Sequence, residues 1–228
     1  MKPVLTLSKL LLFFIVTVSF IQCNQSPKQK NQEILPKQNS EQIIDKYSIF
    51  DGKTLEGWEV TQFGTQGLVS VSDGKIILEF GDGCTGITST KDVPKINYEL
   101  ILEARRISGN DFFSGITFPV NDSFCSLIVG GWGGSVVGLS NINGEDASNN
   151  ETKVLKTFKI DTWYTIKLKV TSESIEAWID NEKLVDYSYE EDELSVRNEV
   201  NLSKPLGICS WMTTAELRNI RLEQLKLK

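Results

Sequence analysis

The chain has 228 residues, a formal net charge of −6 and no histidine. Without imidazole there is no Ser-His-Asp or Cys-His nucleophile pair and no ordinary zinc hydrolase centre, so acid–base work falls to Asp, Glu, Lys, Tyr or Arg. The acidic balance argues against nucleic acid as a partner, because phosphate binding needs a basic footprint.

Lys2 and Lys9 precede an apolar run from Leu10 to Phe20. That run is too short to cross about 30 Å of hydrocarbon as a helix and has the form of a secretory signal, predicted over 1–22. Cys23 stands directly behind it, the position at which an exported lipoprotein is acylated. Phe20 and Gln22 depart from the usual leucine and small residue of that site. Ordinary cleavage nearby, leaving a soluble protein, is the alternative. The expectation is a bacterial cell-envelope lipoprotein that touches the membrane through its lipid alone.

Residues 23–46 follow as a tether rich in Gln, Asn, Lys and Ser, too poor in apolar groups to form a core. The domain proper is 47–228. The leader carries +2 and residues 24–46 carry +1 (four Lys against three acids), so of the chain's −6 the domain holds −9.

Within the domain, short alternating strands are punctuated by Gly, Asn and Asp. They are predicted at 68–71, 75–80, 84–89, 98–106, 112–119, 124–130, 135–139, 154–159, 163–170, 174–180, 183–186, 205–211 and 215–224. In Tyr98–Arg106, Tyr98, Leu100, Leu102 and Ala104 share one face, and Glu99, Ile101, Glu103 and Arg105 the other. Tyr164, Ile166, Leu168 and Val170 likewise oppose Thr165, Lys167 and Lys169. Asn181-Glu182 reads as a hairpin turn. The one plausible helical turn is 189–195, which reads equally well as a solvated loop. So many strands without interleaved helices predict an all-β sandwich or barrel.

Three cysteines lie in this region, Cys84, Cys125 and Cys209, none in CxxC spacing. Their apolar settings favour buried thiols, with one disulfide among them as the alternative.

Several segments then resemble, in order, the 3-keto-disaccharide hydrolase family. These are YSIFDGKTLEGW at Tyr47–Trp58, the strand Asn97–Arg105, SGNDFFSGI at Ser108–Ile116, WYTIKLK at Trp163–Lys169, AWIDNEKLV at Ala177–Val185 and LRNIRL at Leu217–Leu222. The resemblance implies a two-sheet jelly roll of the concanavalin or laminarinase type, whose curved sheet holds a small saccharide. It also implies action on 3-keto-glycosides. The chain departs from the family pattern at Phe124–Ser140 (FCSLIVGGWGGSVVGLS), which replaces the usual YEVQILD stretch. The E-x-D-x-E strand of double-carboxylate retaining glycosidases is absent.

Glu103 and Arg105 are candidate catalytic groups if their face lines the cleft; otherwise they form ion pairs on a solvated face. Asp111, in the SGNDFF turn, is either a second acid–base group or a bond to its own turn. Trp132, set among Gly130, Gly131, Gly133 and Gly134, is either a stacking platform for a sugar or a core residue whose glycines permit close strand packing. Trp178 and Trp211 are weaker candidates for the same role, and Trp58 is expected in the core. The loop Asn141–Lys153 is the one candidate for calcium; otherwise it is a solvated loop and no cofactor is expected. Two functions stay open: cleavage of oxidised glycosides, and carbohydrate binding without catalysis.

Overall fold

The structure is a computed structural model and describes residues 48–225. The predicted leader, Cys23 and the tether lie outside the described residues.

Among the described residues fourteen strands follow one another. They are β1 (Trp58–Val60), β2 (Val69–Ser72), β3 (Lys75–Leu78), β4 (Cys84–Ser89), β5 (Tyr98–Gly109), β6 (Ser114–Val120) and β7 (Ser123–Gly131). Next come β8 (Val136–Ser140), β9 (Val154–Leu155), β10 (Tyr164–Val170), β11 (Ser174–Ile179), β12 (Glu182–Ser188), β13 (Gly207–Trp211) and β14 (Thr213–Gln224). They form two antiparallel seven-stranded sheets, one ordered β12-β11-β10-β5-β14-β3-β2 and the other β1-β4-β13-β6-β7-β8-β9. The domain is an all-β jelly-roll sandwich, as predicted.

Alternation decides how the first sheet faces. Along β5 the even-numbered residues from Tyr98 to Arg106 are buried and the odd ones are half-exposed. In β10, paired with it so that Leu168 opposes Leu100 and Ile166 opposes Leu102, the pattern is the same. Those side chains meet Ile87, Ile116, Phe118, Leu127, Val129, Leu139 and Ile208 of the second sheet in one core. Truncating a residue such as Leu100 to alanine there is expected to cost about 2–5 kcal/mol.

The second sheet is buried on both faces. Strands β4, β6 and β8 are buried throughout, and β7 from Cys125 onward. The reason is a second apolar cluster on its outer side, containing Cys84, Phe112, Ile128, Val136, Ala147, Val200 and Cys209, with Phe63, Val196 and Trp211 against it. Two loop segments supply the cover. One is the polar loop after β8, where Asn150 donates to the Leu139 carbonyl and Thr152 accepts from the Leu139 amide. The other is a short 3-10 helix, Asn198–Ser203, whose Leu202 carbonyl takes the Thr88 hydroxyl.

Local departures have local causes. Residues 189–195 are irregular, and the helical turn falls later, at Asn198–Ser203. The strand expected at 154–159 is two residues long, because β9 is an edge strand pairing only with β8. The hairpin between β11 and β12 turns at Asp180-Asn181, one residue earlier than expected, with Asp180 at φ +56° and its carboxylate accepting the Thr165 amide. Trp58 is buried and donates its indole N–H to the Ile49 carbonyl. In the same opening motif Asp51 accepts the Lys53 and Thr54 amides, so the FDGK segment acts as a turn.

Candidate functional site

On the outer side of the second sheet, where the two covering loops leave a gap, lies a cavity of about 260 Å³. Its floor is Ser126 and Ile128 of β7 with Ser140 of β8, the two serines opposite one another in register. Phe112 and Trp211 form an aromatic side, their rings tilted with centroids 6.4 Å apart. Glu199 and Val200 come from the 3-10 helix and Arg197 from the residue before it, Asp111 from the turn before β6, and Trp132 from the turn between β7 and β8.

Asp111 ties these turns together. Its Oδ1 accepts the Phe112 amide at 2.7 Å and the Trp132 amide at 3.2 Å. The Asp111 amide donates to the Thr213 hydroxyl, which donates in turn to the Asp111 carbonyl. Oδ2 carries no hydrogen bond among the described residues, so one oxygen is committed to the backbone and the other is not. Trp132 sits at φ +46° and is 38% exposed. A bulky residue in left-handed backbone is strained, and the Asp111 bond to its amide is one thing that holds it there.

Across the cavity Arg197 donates to Asp146 at 2.7 Å and to Glu199 at 2.8 Å. Arg197 and a bond to its own backbone amide hold the Glu199 carboxyl below the usual range, against the opposing effect of burial. Asp146 belongs to the loop considered for calcium. There it caps Ser148 and pairs with Arg197, and no group of three His, Cys, Asp or Glu converges anywhere among the described residues.

Below the aromatic side lie two thiols. Cys84 opposes Trp211 across β4 and β13, and Cys209 is its diagonal neighbour. All three described cysteines are free and buried. The Cys209 thiol, with burial, pushes Cys84 far above the ordinary thiol range, and burial alone pushes Cys125 up to about 12.

The cavity thus brings together Asp111, Trp132 and Trp211. Glu103, Arg105 and Trp178 do not join them: they lie on the outer face of the first sheet, on the other side of the core. There Glu103 accepts two bonds from Arg218 and one from Asn219. Burial works against its ionisation, but those partners outweigh it and lower its pKa. Arg105 bridges Glu216 and Asp161, and both Arg105 and Arg218 lie over the Trp163 ring, 4.6 and 4.0 Å from its centroid. Trp178 carries Lys167 at 3.9 Å and Lys183 at 5.1 Å.

Sequence reasoning missed Ser126, Ser140, Arg197 and Glu199. For the serines a signal existed: they stand at alternate, outward positions of strands otherwise apolar. For Arg197 and Glu199 there was none, since an irregular segment carries no period.

No curated relative matches the chain. Among solved structures it is similar to the carbohydrate-binding module CBM66 from Bacillus subtilis, at 13% identity and TM-score 0.52, over 73% of this chain and 95% of that one. It is also similar to the Crh5 transglycosylase in complex with NAG, at 17% identity and TM-score 0.55, over 78% and 83%. A third is SCLam, a non-specific endo-beta-1,3(4)-glucanase from family GH16, at 8% identity and TM-score 0.53, over 76% and 87%. At these identities the likeness is one of fold, that of concanavalin-like carbohydrate-binding and glycosidase sandwiches. Residues 45–223 match the 3-keto-alpha-glucoside-1,2-lyase-like domain, and the chain belongs to that family.

Proposed function

We propose that this protein takes a saccharide into the cavity over β7, β8 and β13, and that 3-keto-glycoside cleavage occurs there with Asp111 as the base. The observation that carries the reading is the convergence of one half-committed carboxylate, two tryptophans and an arginine–glutamate pair around a single cavity. Aromatic rings suit the apolar C–H faces of a sugar, and Ser126, Ser140, Arg197 and Glu199 offer donors and acceptors for its hydroxyls.

A ketone at C3 acidifies the hydrogen at C2, so a carboxylate removes it without a strong nucleophile. Asp111 Oδ2 takes that proton, and the electron pair passes into the enolate. Arg197 is the cavity cation available to the developing negative charge. Collapse of the enolate expels the C1 substituent, which leaves with a proton. Addition of water to the resulting enone completes a net hydrolysis. Histidine is not needed at any step.

A second reading, carbohydrate binding without turnover, is favoured by one specific observation. Ser126, Ile128, Trp132 and Ser140 all come from Phe124–Ser140, the stretch in which the sequence departs from the family pattern. The departure therefore falls on the cavity itself.

Release of free sugar from a panel of 3-keto-glucosides, by the purified protein and by Asp111→Asn, separates the two. Turnover lost in Asp111→Asn supports the enzyme. Absent turnover, with saccharide-dependent quenching of tryptophan fluorescence, leaves a binding module. The sequence supports an envelope location through a lipid on Cys23. Metabolic labelling with a fatty acid, lost in Cys23→Ala, tests that tether.

A further inference from the structure

Arg106 is the last inward-facing residue of β5, on the side that carries Tyr98, Leu100, Leu102 and Ala104 into the core. It is 5% exposed. Its register with β14 breaks immediately beyond it: Arg106 pairs with Ala215 and Ser108 with Thr214, so Ile107 is an unpaired bulge. No salt bridge reaches Arg106 among the described residues. Nη2 donates to the Gly134 carbonyl at 3.0 Å, the guanidinium lies 5.4 Å from the Phe113 ring centroid, and Nε is buried without a partner. A buried cation so sparsely bonded is costly, and a core position would ordinarily take an apolar residue.

The turn above it is shaped to admit it. A Cβ on Gly134 would lie 2.5 Å from Nη1, and one on Gly130 would lie 3.3 Å from Nη2. Both glycines have positive φ, +100° and +80°. Two of the four glycines around Trp132 therefore make room for the guanidinium beneath. Asp111, whose charge favours the Arg106 cation against its burial without a direct bond to it, accepts the Trp132 amide through Oδ1. The turn is thus gripped twice, by Arg106 at Gly134 and by Asp111 at Trp132.

We propose that Arg106 is a positioning residue, a buried strut that holds the Gly130–Gly134 turn and, through it, the Trp132 indole and the Asp111 carboxylate at the mouth of the cavity. The importance of that mouth for a ligand rests on the saccharide reading above; the strut itself does not. Without Arg106 the Gly134 carbonyl loses its donor, and a turn with four glycines has much conformational freedom to regain. Because Arg106 has no ion-pair partner to strand among the described residues, an apolar chain of similar length in its place relieves the desolvation of a buried charge. A strut therefore separates two effects that a plain core residue would join: the fold survives its loss and the mouth does not.

The test uses the full chain with Arg106→Met and Arg106→Lys. Amide hydrogen exchange is read at Trp132, Gly134 and Ser135, whose N–H groups are held by Asp111 and the Gly131 carbonyl, with β10 amides as the control. Affinity is read by fluorescence with methyl 3-keto-glucoside as the probe. Protection at the three turn amides is expected to fall tenfold or more while β10 is unchanged, and probe affinity to fall by a similar factor. Unchanged protection in the turn overturns the proposal. So does lost protection with full affinity, which would leave Arg106 a support of the fold alone. If Arg106→Met does not fold, Arg106→Lys keeps the cation, shortens its reach to Gly134 and decides by the same readouts. If the wild type binds no probe, the saccharide reading fails, and the exchange data still decide whether Arg106 holds the turn.

Discussion

On the outer face of the first sheet, carboxylates close onto arginines, and Arg105 and Arg218 lie over the Trp163 ring. On the outer face of the second sheet, an aspartate, an arginine and two tryptophans stand around an open cavity. The residue types are the same on both sides, and their order in sequence gives no hint of the difference. What separates them is neighbourhood. Strands β5, β10, β11 and β14 alternate apolar with charged residues, so outward charges find opposite ones across the ladder: Glu103 with Arg218, Arg105 with Glu216, Glu176 with Lys169 and Lys183. Strands β7, β8 and β13 carry apolar or small residues on both faces and offer no charged ladder. Arg197 therefore pairs with Asp146 and Glu199 of the covering loops, and the Asp111 carboxylate accepts backbone amides. A paired charge is already satisfied; an acid with one oxygen bonded only to backbone and the other open retains capacity for a ligand.

The comparison is sharpest at its two carboxylates. Asp111→Asn is expected to reduce turnover of a 3-keto-glucoside by about 10²–10⁴-fold, the usual worth of a positioned general base, while Glu103→Gln leaves the rate unchanged. A steady-state rate assay on both variants checks this, and the reverse result would move the site to the first sheet. Next in size are the tryptophans. Trp211→Ala should weaken saccharide binding by roughly tenfold, about 1.4 kcal/mol, and Trp178→Ala should leave it unaltered in a titration.

Acid separates the faces in another way. Glu199, lowered by Arg197, contributes its interaction fully above the ordinary glutamate range and loses it as pH falls through the depressed value. Saccharide affinity should therefore be flat down to that range and decline below it, because protonated Glu199 releases Arg197. Glu176 is likewise lowered, by Lys169 and Lys183, so the loss of its interaction in acid should appear in urea denaturation and not in affinity. The smallest effect is expected on the ladder itself. Glu103→Gln and Arg218→Ala should each shift unfolding stability by no more than about 1 kcal/mol, since half-exposed ion pairs contribute little. A loss several times larger would show that the first sheet depends on its outer charges.

Much of the fold was legible because a strand's period is two and the core is apolar. Tyr98 to Ala104 and Tyr164 to Val170 declare their buried faces by alternation alone. Arg106 was legible in principle, as the next even-numbered position of the same strand, where a cation stands in an apolar series. The second sheet was harder to read. With both faces buried, its strands lose their alternation, and within the strands of Phe124–Ser140 only Ser126 and Ser140, polar among apolar neighbours, hint at an outward side. The pairing of Glu103 with Arg218 and Asn219 joins residues more than a hundred positions apart, which no local pattern encodes.

By itself, then, the sequence determined the class of fold, the strands of the first sheet, the exclusion of histidine chemistry and the family likeness, because periodicity, composition and ordered motifs are local properties. It also nominated three of the residues that line the cavity, Asp111, Trp132 and Trp211. Only the tertiary structure decided which of them meet. It drew Asp111, Trp132, Trp211 and Arg197 from four separate turns and strand ends onto one face, and it set Glu103, Arg105 and Trp178 behind the core. A cavity is made by loops that cross a sheet, and where a loop crosses is fixed by packing that no single segment contains.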